Sequence, residues 1–498
     1  MMVTEINSIT PFLAVLVSML ASVLILTFGK YPNIREGWTF VAAFIKFGLV
    51  ISMLPLILKG NVVTYTVVDM LPNLPIAFKV DAFGILFAIT SSFLWIFVTS
   101  YSIGYMRSLN EHAQTRYFFC FAIALSSAVG IAFSANLITL FLFYELLTIS
   151  TYPLVAHNET PEAISSGRKY LTYLMIAGVS LLFSILVVYR YTGTTEFSFS
   201  GIAGMETIPQ TTLVILFITF MIGCAKAAFM PLHAWLPAAM VAPTPVSALL
   251  HAVAVVKAGV FTAVRVILYV FGVDLMQDSG IWIYMAYFVS ITIILASIYA
   301  LMQDNLKKRL AYSTVSQLSY IVLGAVLITQ QGHGIMGGML HIPYHAFMKI
   351  TLFMCAGALI VTAQKEKISE MNGIARQMPI TMIAFTVGAL GMIGMPPVGG
   401  YVTKWFLLLG AAELHNVILI AVLLVSAVLN AAYFFPVIYV AFFKKPDHEL
   451  RYKEAPLTML VPLVLTAIIS IVIGIWPDAP GLFLDIVEIA VSNVTGGI

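Results

Sequence analysis

The sequence predicts an all-α polytopic membrane protein with about 14 transmembrane helices. Three observations carry that prediction. First, 61% of the 498 residues are hydrophobic, only 9% are charged, and mean hydropathy is +1.00. A water-soluble domain carries roughly 25% charged residues. Second, apolar runs of about 20 residues, enough to cross a bilayer, recur along the whole chain. Third, the basic residues between those runs fall mainly in alternate loops, which lie on one side.

Taken in order, the runs span 9–29, 38–58 and 82–104. Runs 117–134 and 136–156 follow, nearly continuous and parted only around Ser134, Ala135 and Asn136. Next come 169–190, 210–231, 246–270, 281–302, 312–330, 335–362, 379–407, 416–443 and 456–476. The longest loops lie near 59–81 and 191–209. The first has an alternating, β-branched character that predicts a small hairpin on the outer side. No basic segment precedes the first run, so no cleaved signal is expected.

Charge fixes the expected orientation. Sixteen of the 25 Lys and Arg, from Lys30 and Arg35 to Arg451 and Lys453, lie in loops that follow odd-numbered runs. The opposite loops hold only Lys59, Lys79 and Arg190. Basic loops stay cytoplasmic. Both termini are therefore expected on the outer side of a cell membrane.

Six basic residues remain inside runs: Lys46, Lys226, Lys257, Arg265, Lys349 and Lys404. Glu145 is the one acidic residue in the middle of a run, and His233, His251, His341 and His345 lie in or beside runs. A charge at the bilayer centre costs at least about 2.5–3.5 kcal/mol, so function is the default reading. Plainer readings stand beside it. Lys46 and Arg265 are expected to snorkel from near run ends. Glu145 and Lys226 also suit a purely structural buried pair. His233 and His251 also suit satisfied core histidines.

His341, His345 and Lys349 recur every fourth residue, which places them on one helix face with about 6 Å of rise between neighbours. That spacing predicts a wet polar seam. Two histidines without a nearby carboxylate make a poor metal site, and no metal is expected there. Cys120, Cys224 and Cys355 stand singly in apolar runs, which excludes a cysteine-held cluster or disulfide framework within the chain. No Gly-rich loop follows a strand-like run. No cofactor, nucleotide or nucleic-acid partner is expected.

The seventh and twelfth runs look broken. In the seventh, Lys226 is followed by Pro231, Pro237, Pro243 and Pro245. In the twelfth, Gly391, Gly394, Pro396, Pro397, Gly399 and Gly400 precede Lys404. Proline removes a ladder hydrogen bond and glycine tolerates unwound backbone. Such interruptions persist at membrane depth only where protein or water satisfies the freed groups. Paired interruptions point to transporter sites in repeated halves. The breaks are an odd number of runs apart, which inverts the topology. The expected organisation is 1–116 (helices 1–3), 117–270 (helices 4–8), an inverted second repeat 281–443 (helices 9–13), and 456–498 (helix 14 and tail).

Four stretches then resemble a known family in order: "KAAFMPLHAWLPAAMVAPTPVSALLHAVAVVKAG" (226–259), "KKRLAYSTVSQLSY" (307–320), "HIPYHAFMKITLFMCAG" (341–357) and "MPPVGGYVTKW" (395–405). They are similar to the proton-translocating antiporter-like subunits of respiratory complex I, membrane-bound hydrogenases and Mrp-type multisubunit cation/proton antiporters. The resemblance covers nearly the whole chain. It implies that Glu145 and Lys226 are ion-pair partners, and that Lys257, His345, Lys349 and Lys404 are proton carriers. His251 joins them as a relay candidate, while His233 and His341 are lesser candidates. The M-type complex I subunit has glutamate where this chain has Lys404. Length, Lys404 and "MNGIARQMP" resemble the Mrp-type D subunit most. The sequence ends soon after its last run, so neither the lateral helix of the L-type subunit nor the extra domains of the Mrp-type A subunit are expected.

The function so implied is a subunit of a secondary Na+/H+ antiporter, not an enzyme, with A-, B-, C-, E-, F- and G-like partners. Protons would pass from the Glu145–Lys226 pair through Lys257, His251, His345 and Lys349 to Lys404. Sodium binding by this chain is disfavoured, because only one mid-membrane carboxylate is present. The alternative is a proton-pumping subunit of a redox complex. An inert scaffold and a subunit energising uptake of another solute are the remaining readings.

Overall fold

A computed structural model describes residues 4–71, 74–446, 449–479, 481 and 483–496. Helices α1 (Thr10–Thr27) and α2 (Pro32–Ile57) pack on each other near the N-terminus. Strand β1 (Glu5–Asn7) lies parallel to β2 (Val62–Leu71), which pairs antiparallel with β3 (Leu74–Val80). The expected hairpin is therefore present, although residues 72–73 at its tip lie outside the described residues. Ala135 N donates to Ala77 O (3.0 Å), tying this sheet to the next helical turn.

Helices α3 (Ala82–Ser108), α4 (Gln114–Phe133), α5 (Leu137–Val155) and α6 (Pro161–Thr192) follow. Polar caps set the starts of three of them. Asp81 accepts from Gly84 N, Asn136 from Thr139 N, and Thr160 from Ala163 N. The Asn136 cap separates two nearly continuous apolar runs.

The next segment is irregular. Helix α7 (Gln210–Gly223) is followed by a tight turn at Ala225–Ala227, α8 (Trp235–Ala238), a second turn, and α9 (Thr244–Ala248). A widened π-turn at Leu249–Val253 leads into α10 (Val255–Arg265), and another π-turn leads to α11 (Val273–Asp278). The Thr244–Phe271 segment is buried throughout.

Helices α12 (Ile281–Leu301), α13 (Leu306–Val326) and α14 (His333–Ala363) come next. The interrupted twelfth run is α15 (Pro379–Ile393) and α16 (Gly400–Glu413). Helices α17 (Val417–Phe443) and α18 (Leu457–Ile475) complete the expected set. Among the described residues, eleven segments are long and apolar enough to span a membrane, and α7 and α15 are shorter apolar helices at the two breaks.

Helix α14 is the centre of the molecule. It packs against α3, α9, α13, α15, α16 and α18. Helices α2, α6 and α17 instead expose apolar faces that include Phe44, Ile176, Val179 and Val428. An apolar outer face matches hydrocarbon, so hydrophobicity does not separate inside from outside here.

The expected tail contains a further helix, α19 (Phe483–Thr495), packed on α3 and α14. Its buried Phe483, Ile486, Val487, Ala490, Val491 and Val494 follow helical spacing. It is too short to span, so a search for 20-residue runs passes over it.

Candidate functional site

The row His341, His345 and Lys349 lies on α14, and all three side chains are fully buried. Helical spacing puts them on one face, as expected, and that face meets α13, α16 and α10 rather than lipid. His341 Nε2 donates to Gln317 Oε1 (3.0 Å), and its Nδ1 lies 2.8 Å from Thr403 Oγ1. Lys257 Nζ, from α10, lies 2.8 Å from His345 Nδ1. The two imidazole centroids are 5.7 Å apart.

Lys349 Nζ donates to Leu310 O (3.1 Å) and Ser313 Oγ (3.0 Å) on α13. The Tyr433 hydroxyl is 3.0 Å from Ser313 Oγ and 2.6 Å from Asn430 Oδ1. Asn430 Nδ2 reaches Met392 O at 3.4 Å, and Lys404 Nζ donates to that same carbonyl at 2.8 Å. Side chains and one backbone carbonyl thus connect Lys349 to Lys404. Lys404 Nζ also donates to Ile393 O (2.8 Å), so it covers the frayed end of α15 from across the break.

Sequence reasoning missed Ser313, Gln317, Thr403, Asn430 and Tyr433. A signal existed: Ser313, Ser316, Gln317 and Tyr320 form a polar stripe at helical spacing within α13.

The first break lies earlier than expected. Helix α7 ends at Gly223, ahead of Pro231, and Lys226 sits in the turn itself. Ala228 there has φ of 57°, which a continuing helix forbids. The freed carbonyls are satisfied by protein: Tyr144 Oη donates to Gly223 O (3.1 Å) and Trp235 Nε1 to Ala225 O (3.1 Å). At the second break Gly399 N donates to Ser470 O (2.9 Å). Pro396 and Pro397 are exposed, whereas Gly399 and Gly400 are buried. A Cβ at Gly400 would lie 1.8 Å from Gly391 O, so only glycine allows α16 to start against α15.

The ion pair implied by the resemblance is open. Lys226 Nζ donates to Tyr144 O (2.9 Å) and sits 3.2 Å from the centroid of the Tyr144 ring. No ion pair within 4.0 Å joins it to Glu145. Neither Glu145 carboxylate oxygen has a hydrogen-bond partner among the described residues. The carboxylate rests in a notch where α6 offers Gly178. Tyr144 and Glu145 are neighbours on α5 and leave the helix about 100° apart. Lys226 is thus held on Tyr144, with the neighbouring carboxylate beyond ion-pair distance.

Other expectations need correction. Lys46 and Arg265 do not snorkel. Lys46 is fully buried and donates to Leu125 O (2.9 Å). Arg265 is buried and forks onto Asp81 at 2.5 and 2.6 Å. The planar guanidinium matches the carboxylate, which makes burial tolerable. A cleft of about 610 Å³ opens beside this pair, lined in part by Lys79, Glu196, Glu206 and Tyr269. His251 lies in the π-turn with its ring 4.7 Å from Phe353, and neither nitrogen has a partner among the described residues. It stands off the hydrogen-bonded chain and is not a satisfied core histidine. His233 is half-buried, 6.1 Å from the Tyr312 ring, and its Nδ1 is likewise unpartnered.

Residues 134–430 match the family described as NADH:quinone oxidoreductase/Mrp antiporter, transmembrane. Glu145, Lys226, the buried row and the half-buried Lys404 lie within that range. The chain is 31% identical over 397 residues to NADH-quinone oxidoreductase subunit N of Desulforudis audaxviator, covering 76% of this chain and 77% of that protein. It is 30% identical over 523 residues to the A-type subunit of a Na(+)/H(+) antiporter from Alkalihalophilus pseudofirmus, covering 98% of this chain but 62% of the relative. With NAD(P)H-quinone oxidoreductase chain 5 of Picosynechococcus the identity is 30% over 443 residues, covering 81% of this chain and 64% of the relative. The chain thus spans a little under two thirds of the length of the last two. A chain of the Mrp complex from a Dietzia species has a similar fold, with TM-score 0.85, 19% identity, and coverage of 97% of this chain and 98% of that one. A chain of an archaeal membrane-bound sulfane sulfur reductase is similar too, with TM-score 0.86, 24% identity and 98% coverage of both.

Proposed function

Since the chain belongs to the NADH:quinone oxidoreductase/Mrp antiporter family, we propose that it is a proton-conducting membrane subunit of a multisubunit Na+/H+ antiporter. The observation that carries this reading is the buried row Lys257–His345–His341 on α10 and α14, continued through α13, α16 and α17 to Lys404. Buried ionisable groups in contact with one another are costly and are retained for transfer.

The chemistry follows from the contacts. Lys257 is within hydrogen-bond distance of His345 Nδ1, so a proton can pass between them. Imidazole takes a proton at one nitrogen and releases one from the other, which suits it to a relay. His341, Thr403 and the Lys349–Tyr433–Asn430 chain continue toward Lys404. Gaps that exceed hydrogen-bond length need bridging water to carry the proton. At the other end, Lys226 alternates between Tyr144 O and the Glu145 carboxylate. The carboxylate stabilises the ammonium, and separation favours release of its proton.

In this reading helices 4–8 and 9–13 form inverted units, each with one broken helix. The chain acts as the D-type subunit beside A-, B-, C-, E-, F- and G-like partners, as a secondary transporter component with its termini outward in the cell membrane. Sodium follows a path that lies partly in a partner. A second reading, a proton-pumping subunit of a redox complex, is favoured by the quinone-oxidoreductase and sulfane-reductase similarities.

Two measurements test this. In everted vesicles, Glu145→Ala and Lys226→Ala should each abolish cation-dependent proton exchange while the assembly stays intact. Full exchange in either variant sinks the proton-path reading. The polypeptide composition of the purified complex separates antiporter from redox enzyme: iron–sulfur partners would overturn the first reading in favour of the second.

A further inference from the structure

Away from the buried row, two loops bring metal-ligating side chains together. The connection between α3 and α4 carries Glu111 and His112, and the turn after α5 carries His157. One ligand atom from each lies within 4.8 Å of the other two. His112 Nδ1 and His157 Nε2 are each 3.9 Å from Glu111 Oε2. The two rings are 4.8 Å apart between centroids.

His157 is the telling member. It is fully buried, yet neither ring nitrogen has a hydrogen-bond partner among the described residues. An unsatisfied buried polar group costs energy that a bound partner removes. The ring faces Glu111 and His112, and His112 is exposed, so the cluster has a route to solvent.

We propose that Glu111, His112 and His157 bind a divalent transition-metal ion of the Zn2+ class. Two imidazoles and one carboxylate, with a fourth position open to water, are an established kind of ligand set for that ion. Bonds of about 2.0–2.2 Å in tetrahedral geometry place ligand atoms roughly 3.3 Å apart. The two separations to the carboxylate, 3.9 Å each, close by about 0.6 Å on binding, and the two ligating nitrogens, which lie within 4.8 Å, close by at most about 1.5 Å. The ligand atoms follow from the geometry: His112 Nδ1, His157 Nε2 and Glu111 Oε2. The outer nitrogen of His112 is 4.0 Å from Glu159 Oε1, and Glu159 is itself paired with Arg116. A carboxylate behind a ligating histidine fixes its tautomer and ring orientation. The ion would clasp the α3–α4 connection to the end of α5, the helix that carries Glu145.

The test uses the full-length chain purified in detergent, stripped with a chelator and titrated with Zn2+ and, separately, Co2+. The expected result is one ion per chain and Co2+ d–d absorption of a low-coordinate nitrogen/oxygen site. His112→Ala, a change at an exposed side chain, should weaken binding by more than the roughly 10–100-fold typical of losing an outer-shell partner. Glu111→Gln should do the same, and Glu159→Gln should weaken binding less. A wild-type chain that takes up no Zn2+, or uptake unchanged in both His112→Ala and Glu111→Gln, overturns the proposal. The readout is metal content, so it stands apart from any loss of ion exchange.

Discussion

The contact between Lys257 and His345 joins two helices through a pair of titratable groups with no carboxylate between them. A positioned side chain contributes roughly 10²–10⁴-fold to a proton-transfer rate. Lys257→Ala and His345→Ala should each lower proton exchange in vesicles about a hundredfold or more, while the complex still assembles. Gly178 offers a finer test. A Cβ there would sit 2.4 Å from Glu145 Oε1, and that carboxylate is the mobile end of a side chain. Gly178→Ala should therefore displace Glu145, change exchange activity, and barely move the melting temperature. Unchanged activity would show that the carboxylate position does not matter. The charged members of this site were legible in the sequence because a charge within an apolar run is expensive and rare. Their partners Gln317, Thr403 and Ser313 were not, because hydroxyls and amides are cheap in membrane helices and occur there for many reasons.

Among the elements, the breaks and the buried ion pair decide stability. Asp81 both caps α3 and holds Arg265 of α10. Asp81→Ala strands a buried guanidinium and should cost about 3–5 kcal/mol in thermal unfolding. Adding Arg265→Met should recover part of that loss, because the unpaired charge goes with it. Gly259 differs from Gly178: a Cβ there would lie 2.2 Å from Ala227 N and 2.3 Å from Lys226 C, which are backbone atoms. Gly259→Ala should therefore shift the turn that holds Lys226 and destabilise by about 1–3 kcal/mol. The existence of both breaks was readable from proline and glycine. The position of the first was not, since Tyr144 and Trp235 supply the hydrogen bonds that let the helix end at Gly223. The snorkelling expected of Lys46 and Arg265 failed for the same reason, as each found a partner on a segment distant in sequence.

At the scale of the whole molecule, the buried α14 is ringed by helices whose outer faces are apolar. The described cysteines Cys120, Cys224 and Cys355 are all buried, so engineered thiols can report topology cleanly. Glu5→Cys should react with an impermeant maleimide from outside intact cells, and Lys367→Cys only after the membrane is opened. Both side chains are more than half exposed, at 59% and 62%. The reverse pattern would overturn the outward placement of the termini.

The helical membrane class and the charge asymmetry were determined by the sequence alone, because hydropathy, span length and loop charge are local properties. So was the common face of His341, His345 and Lys349, which needs only helical periodicity. Tertiary structure decided what that face meets. His341 contacts Thr403 and Gln317, Lys257 contacts His345, and Asp81 contacts Arg265 across 62, 24, 88 and 184 residues of chain. In a membrane protein the inward and outward faces of a helix are nearly equally apolar, so no hydrophobic pattern announces which helix will be its neighbour. Packing of small residues and the satisfaction of buried polar groups make that choice, and both exist only once the helices have assembled.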